Sequence, residues 1–131
     1  MNASRISGDR WRGMLNDEWH VDQPSWDEAE DAIRRLDAST YTIVMIESIG
    51  EQHLAVGGGA GRYVVYATFD NYDFWNLLGD GGAGGRTLLN AGGQDGDYPV
   101  RQIVDLEQAC RAARTFFLGL RLDPSLWWEK Q

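Results

Sequence analysis

Apolar residues recur along the chain with two spacings, and each spacing predicts one kind of element. Helical spacing, with apolar residues three and four positions apart, follows Ser25 and again follows Asp105. Each of these two residues has a Glu or Gln three positions later, which is the spacing of a capping box at a helix start. The pattern therefore predicts one helix that begins at Trp26 and a second from Leu106 to about residue 118, where Gly119 ends it.

Short runs rich in β-branched and aromatic residues lie between the two helices and predict consecutive strands. The central pair spans residues 54–69, where a glycine cluster at residues 57–61 separates two apolar runs and predicts a turn. The second run is apolar on both faces, so it should lie inside a sheet. Further strands are predicted over residues 18–21, 40–47, 74–78 and 87–90. Residues 79–85 and 91–99 are predicted as turns and loops, and residues 1–10 as a loose N-terminal end.

Strands joined by short turns, rather than strands alternating with helices, predict an α+β fold. We expect a mainly antiparallel sheet of about five to seven strands, with an N-terminal and a C-terminal helix packed against it. The chain has 131 residues, of which 43% are hydrophobic and 11% aromatic, so composition predicts a folded core without disulfides. Residues 1–131 are therefore expected to form a single domain.

Charge narrows the class of partner. The formal net charge is −8, and the acidic excess is concentrated in residues 1–51 and 70–97. Such a field repels nucleic acid and anionic lipid and attracts a cationic partner, although solubility alone also accounts for an acidic surface. We expect neither nucleic acid nor a membrane as partner. Cys110 is the single cysteine and residues 1–6 show no apolar signal segment, so we expect a cytoplasmic protein.

No pattern along the chain indicates catalysis, a cofactor or a metal. The first glycine cluster has Arg62 where a dinucleotide-binding loop needs its third glycine, and a strand follows where that loop needs a helix. The second cluster, residues 79–85, lacks the lysine of a nucleotide-binding loop. His20, His53 and Cys110 lack the short spacing of zinc ligands. We therefore expect a protein that is not an enzyme and holds no cofactor or metal, although composition leaves a Ser-His-Asp arrangement open.

Two predicted loops combine carboxylates with Tyr and Trp, which is the composition of a surface that binds another protein. Tyr and Trp supply contact area at low entropic cost, and neighbouring acids would pair with Arg or Lys of the partner. The predicted partner-binding residues are Asp70, Tyr72, Asp73, Trp75, Asp95, Asp97 and Tyr98. In the alternative interpretation, the three aromatic residues of this set complete the core.

Several short motifs occur in an order and spacing that resemble the first-described immunity-protein family of bacterial polymorphic toxin systems. The resemblance spans residues 24–129 and rests on the order of the motifs, since each is a common word of two or three residues. The motifs are Pro24-Ser25-Trp26, Leu54-Ala-Val-Gly-Gly-Gly followed by Tyr63-Val-Val-Tyr, Gly93-Gln94 with Tyr98-Pro99, Val104-Asp105, Phe116-Phe117 with Gly119, and Trp128-Glu129.

The resemblance implies an α+β antidote that is not an enzyme and that binds a cognate toxin domain in the cytosol of the producing cell. Members of the family occur beside deaminase-type toxins, including double-stranded-DNA cytosine deaminases. The implied partner is therefore a deaminase or nuclease domain with a basic surface, and the antidote is expected to cover its active site. Trp128 and Glu129 either belong to the binding surface or, in the interpretation we favour, Trp128 holds the C-terminus on the sheet while the acid is solvated.

Two other classes of function stay open at the level of sequence. One is a small-molecule-binding domain or hydrolase with a pocket over the aromatic sheet face, lined by Tyr63 or Tyr66 together with carboxylates. The other is a homodimer that buries an otherwise bare sheet face. The shape of any cavity and the coverage of the sheet distinguish these classes from a toxin antidote.

Overall fold

A computed structural model describes residues 3–80 and 84–131 of the chain. Its helices are α1 (Trp26–Arg34) and α2 (Leu106–Gly119), and Val100–Gln102 forms a 3-10 turn. Its strands are β1 (Arg5–Gly8), β2 (Trp11–Arg12), β3 (Leu15–Asn16), β4 (Trp19–Asp22), β5 (Ile43–Glu47), β6 (His53–Gly59), β7 (Arg62–Thr68), β8 (Phe74–Leu78), β9 (Arg86–Asn90), β10 (Asp95–Pro99) and β11 (Trp127–Lys130). Residues 81–83 of the predicted turn at 79–85 lie outside the described residues.

Seven strands form one sheet in the order β11-β8-β7-β6-β5-β1-β4, and every neighbouring pair is antiparallel. The strands β9 and β10 pair with each other in a separate hairpin, as do β2 and β3. The predicted antiparallel sheet is therefore confirmed at the upper end of its expected size. The predicted central hairpin is confirmed too, because β6 pairs with β7. Its predicted position inside the sheet is also confirmed, because the hairpin lies between β5 and β8.

Both helices begin where the capping boxes predict. The Ser25 hydroxyl accepts a hydrogen bond from the Glu28 amide at 3.1 Å, and the Glu28 carboxylate accepts one from the Ser25 amide at 3.0 Å. The corresponding pair at the start of α2 makes the same two bonds. Helix α2 includes Gly119 as its last residue, and Leu120, with φ 51°, forms the left-handed cap. The predicted stop is therefore displaced by one residue.

The beginning of the chain differs from the prediction in two ways. Residues 5–8, expected within a loose end, form β1, which pairs with both β4 and β5. The first helix is therefore not N-terminal, since four strands precede it. The cause is that β1 is too short for a periodic signal. Ile6 is its one large apolar residue, and backbone hydrogen bonds to two neighbouring strands place it in the sheet.

The glycine cluster at residues 57–61 is mostly strand, although a turn was predicted for all of it. Residues 57–59 belong to β6, and the chain turns only at the two residues that follow. The structure shows why side chains are missing there. A Cβ added to Gly57 would lie 2.6 Å from the Cβ of Ala91, and one added to Gly59 would lie 2.5 Å from the amide nitrogen of Asp37. The glycines therefore allow two other segments to lie directly against β6.

The hydrophobic core lies between one face of the seven-stranded sheet and the two helices. Buried side chains on the sheet are Ile6, Val44, Ile46, Leu54, Val56, Val65, Ala67 and Leu77, and the helices contribute Ala29, Ile33, Ala109, Ala113, Phe116 and Phe117. The alternation of β-strands turns the intervening residues to the other side, which we call the open face. By strand register, the open face includes Met45, Glu47, His53, Ala55, Val64, Tyr66, Phe74, Asn76 and Trp127.

Replacing Gly59 by Ala should lower the free energy of unfolding by about 2–4 kcal/mol, because the methyl group meets backbone atoms and φ is +144°. The matched control is Gly50→Ala, whose nearest neighbouring atom would be 3.9 Å away. Urea unfolding of the two variants measures the difference. Equal stabilities for both variants would contradict the account of close approach at β6.

Candidate partner-binding surface

The open face has an aromatic centre. The rings of His53 and Tyr66 meet edge to face with centroids 5.7 Å apart, and the ring of Phe74 lies 5.8 Å from that of Tyr66. The hydroxyl of Tyr66 lies 4.0 Å from the sulfur of Met45. All four side chains are half-buried, so the three rings and the Met45 side chain pack against one another and still reach the surface.

The hairpin formed by β9 and β10, here the β9–β10 hairpin, lies on the open face where β6 ends and β7 begins. Arg62 donates hydrogen bonds to the Thr87 hydroxyl at 2.9 Å and to the Leu88 carbonyl at 3.2 Å. Residues 86–90 form β9, so the predicted strand at 87–90 is confirmed. This strand pairs only with β10 and is not part of the seven-stranded sheet. The predicted loop at 91–99 is wrong for Asp95–Pro99, where pairing with β9 overrides a low intrinsic β-propensity.

A cavity of about 210 Å³ lies between the β9–β10 hairpin and the sheet. Its lining residues are Ile43, Ala55, Gly57, Val64, Val65, Tyr66, Asn76, Ala91, Tyr98 and Gln102. Burial raises the pKa of Tyr98, and burial together with the nearby Glu47 and Tyr98 raises the pKa of Tyr66. Both phenols therefore stay protonated at neutral pH and act as neutral hydrogen-bonding groups.

A family model described as Immunity protein Imm1 matches residues 17–130 of the chain. The chain belongs to the Imm1 immunity protein family. The matched region begins two residues before β4, and it contains both helices, the strands of the open face and the β9–β10 hairpin. The resemblance found in the short motifs is thereby confirmed. A search of curated proteins returned no match to the chain.

Membership of the Imm1 family gives the functional class in outline. An immunity protein of a toxin system has a cognate toxin as its partner, and this class suggests a toxin-neutralising role without catalysis. Within the described parts of the chain, no group of three His, Cys, Asp or Glu residues is placed to hold a metal ion. Neither of the two described helices is long and apolar enough to cross a membrane.

In this Imm1 protein, the turn between β7 and β8 contains three of the predicted binding residues, Asp70, Tyr72 and Asp73. One carboxylate oxygen of Asp70 accepts hydrogen bonds from the amides of Asp73 at 2.8 Å and of Tyr72 at 2.9 Å, and these bonds lower the pKa of Asp70. The carboxylate of Asp73 forms an ion pair with Lys130 at 3.4 Å. Tyr72 is 88% exposed at the tip of the turn. Both carboxylates therefore stabilise the fold here: Asp70 stabilises the turn itself, and Asp73 connects it to Lys130 of β11.

Trp75 lies on the side of the sheet that the helices cover. It pairs in register with Ala67, which is fully buried in the core, and the ammonium group of Lys130 lies 6.0 Å from its ring. Trp75 is half-buried near the sheet edge formed by β11. It does not share a face with Tyr66 and Phe74.

The second group of predicted binding residues lies on β10, and its members point in two directions. Asp95 and Asp97 are exposed on the outer side, whereas Tyr98 is half-buried and lines the cavity. Asp97 forms an ion pair with Arg86 at 3.0 Å. Asp95 has no ion-pair partner among the described residues. The outer side of the hairpin also presents Leu88, which is 60% exposed.

The structure does not bring the seven predicted residues into one cluster. The turn that contains Asp70 follows the end of β7, whereas the β9–β10 hairpin is bonded to Arg62 at the beginning of β7. A strand of seven residues separates the two, which corresponds to about 20 Å. The aromatic centre of the open face lies between them. That centre escaped prediction because the choice of exposed face depends on where the helices pack, which no local pattern encodes.

Two further expectations are decided by contacts. Trp128 packs against the core and donates a hydrogen bond to the Asp123 carbonyl at 3.1 Å, so the favoured interpretation that it holds the C-terminus is confirmed. The other half of that interpretation, a solvated Glu129, is wrong, because its carboxylate is bonded to Arg101 at 3.0 Å, which lowers the pKa of Glu129. Trp127, which is 78% exposed, is the aromatic residue that β11 presents to solvent.

The cavity differs from the pocket expected of a small-molecule-binding domain or hydrolase. Tyr66 lines it, but Tyr63 is buried on the opposite side of the sheet. None of the described residues that line it carries a carboxylate. Its volume of about 210 Å³ is below the roughly 300–1,000 Å³ that is usual for such ligands. The structure therefore provides no feature that favours this alternative among the described residues.

Replacing Asp70 by Ala should lower the melting temperature at neutral pH but much less in strong acid. A carboxylate whose pKa is lower in the folded state contributes stability that is present above its unfolded pKa, near 3.8, and lost as the pH falls through the folded value. Thermal unfolding at pH 7 and at about pH 2.5 measures both differences. Glu18→Ala, at an exposed residue without a side-chain hydrogen bond among the described residues, is the control. A deficit equally large at both pH values would contradict this role.

Proposed function

We propose that this Imm1 protein neutralises a nucleic-acid-targeting toxin, a deaminase or a nuclease, by laying the open face and the β9–β10 hairpin over the toxin's active site. The observation that carries the proposal is the asymmetry of the sheet. Two helices bury one face, while the other face presents an aromatic centre flanked by acids. An exposed apolar patch with a charged rim is typical of a surface that binds another protein.

The charges around the open face support a basic partner. Three of the bases near it are already neutralised in ion pairs, namely Arg86 with Asp97, Arg101 with Glu129 and Lys130 with Asp73. Glu47 and Asp95 have no basic partner among the described residues, whereas one nearby base, Arg62, has no acidic partner, so a small excess of acid remains there. A toxin that acts on nucleic acid needs a cationic cleft, because it must attract phosphates. The acidic surface is therefore complementary to the cleft of such a toxin.

The aromatic residues supply the apolar part of the proposed interface. Tyr66 and Phe74 reach the surface of the open face, and the exposed Trp127 extends it along β11. Charges at the rim chiefly raise the rate of association, whereas buried aromatic contacts chiefly slow dissociation. The combination suits a protein that must capture a toxin quickly and release it slowly.

We also propose that the protein acts in the cytoplasm of the producing cell, where its own toxin would otherwise act. The single cysteine, Cys110, is buried, and burial raises the pKa of its thiol. A protonated, buried thiol is inert and compatible with a reducing compartment. In this proposal the side chains of the open face contact the toxin directly, and the inhibition is steric.

Replacing Asp95 by Lys should lower the rate of association with the toxin about three- to tenfold at low salt, and less at high salt. Asp95 is exposed, so its replacement should leave the melting temperature nearly unchanged. The matched control is Asp31→Lys, which makes the same charge change on the exposed side of α1. Stopped-flow or biosensor kinetics with the purified toxin domain encoded immediately upstream provide the measurement. Equal effects of the two replacements would place the interface elsewhere.

The wild-type protein provides the test of the proposal as a whole. We expect it to co-purify with the upstream toxin domain and to protect cells that express this toxin. No complex at micromolar concentration, together with no protection, would overturn the proposal. Sedimentation of the free protein tests the homodimer alternative, because a mass of two chains would show that a second copy already covers part of the surface.

A further inference from the structure

We infer that the cavity beneath the β9–β10 hairpin receives one apolar side chain from a loop of the toxin. This inference rests on the proposed function and identifies the anchor point of the same surface. The cavity opens beside the aromatic centre, since Tyr66 belongs to both. A toxin loop that covers the open face would therefore pass the mouth of the cavity.

The lining of the cavity is uncharged and mostly apolar, which favours an apolar occupant. It is lined by aliphatic side chains such as Ile43 and Val64, by the rings of Tyr66 and Tyr98, and by the amides of Asn76 and Gln102. Among the described residues that line it, none is charged. A buried guanidinium or ammonium group would lose its hydration there without a carboxylate in compensation. The cationic residues of the toxin are therefore expected at the rim, with an apolar side chain inside.

The volume of the cavity favours a single side chain over a separate ligand. About 210 Å³ is too small for most drug-sized or cofactor-sized molecules. Anchor side chains at protein interfaces typically fill small desolvated pockets of this kind, and surrounding contacts exclude water from them.

The cavity is preformed because the turn of the β9–β10 hairpin is bonded to the sheet. The amide of Gly93 donates a hydrogen bond of 2.8 Å to the hydroxyl of Thr42, and that hydroxyl in turn donates to the buried carboxylate of Asp9. Asp9 also accepts a hydrogen bond from the indole nitrogen of Trp11 at 2.8 Å. A rigid pocket loses little entropy when it binds, so it supports tight association.

Filling the cavity should weaken the complex without unfolding the protein. Val64→Phe places a ring in the cavity from the side of the sheet, and Phe, like Val, favours strands. Gln102→Trp places a larger ring in the cavity from the 3-10 turn. We expect either change to raise the Kd for the toxin domain at least tenfold in calorimetric titration. The matched control, Leu118→Phe on the solvent side of α2, should leave the Kd within twofold. Melting temperatures show whether each variant is folded, and a variant that is not folded is replaced by the other.

A double-mutant cycle identifies the side chain that enters the cavity. Apolar loop residues of the toxin are changed singly to Ala, and one of them should weaken binding to the wild type but cost little further when combined with Val64→Phe. If wild type binds and both folded cavity variants bind within twofold of it, the inference is overturned while the proposed function stands. If wild type fails to bind, the proposed function fails and the inference fails with it.

Discussion

The absence of side chains at residues 57–59 of β6 is the constraint on which the rest of the structure depends. Without a Cβ at Gly57 the methyl group of Ala91 can rest on the sheet, and without one at Gly59 the backbone of residues 37–38 can approach within hydrogen-bonding distance. The β9–β10 hairpin therefore covers one end of the open face and leaves the other end exposed. Both the cavity and the aromatic centre beside it follow from this partial coverage.

A polar cluster in the N-terminal segment completes the same arrangement. The buried carboxylate of Asp9 accepts hydrogen bonds from the amides of Thr42 at 2.7 Å and Ile43 at 3.1 Å, and the ring of Trp11 lies against Gly93. Asp9 and Trp11 precede the region matched by the family model, as does β1, which lies between β4 and β5 in the sheet. Residues 3–16 thus contribute one strand of the seven-stranded sheet and the bonds that fix the turn of the β9–β10 hairpin.

Local signals in the sequence predicted the local parts of the fold. The two capping boxes predicted the helix starts, because each needs only residues three positions apart, and runs of β-branched and aromatic residues predicted most of the strands between the helices. Strand order, the choice of open face and the position of the hairpin depend on contacts between distant segments, so no local pattern contained them. The strand at Asp95–Pro99 was missed because its Asp, Gly and Pro residues favour turns, and its pairing with β9 imposes the extended form. The prediction placed Asp70 and Asp95 in one surface although β7 separates them, because the position of the β9–β10 hairpin on the sheet also depends on distant contacts.

The central claim is that the open face, and not the helical side, covers the toxin. Hydroxyl-radical footprinting of the complex tests it most directly, because aromatic side chains on both sides of the molecule report their exposure in one experiment. The account predicts that Tyr66, Tyr98 and Trp127 become protected when the toxin domain binds, while Trp26 on α1 reacts as in the free protein. Protection of Trp26, with unchanged reaction at Tyr66 and Trp127, would contradict it.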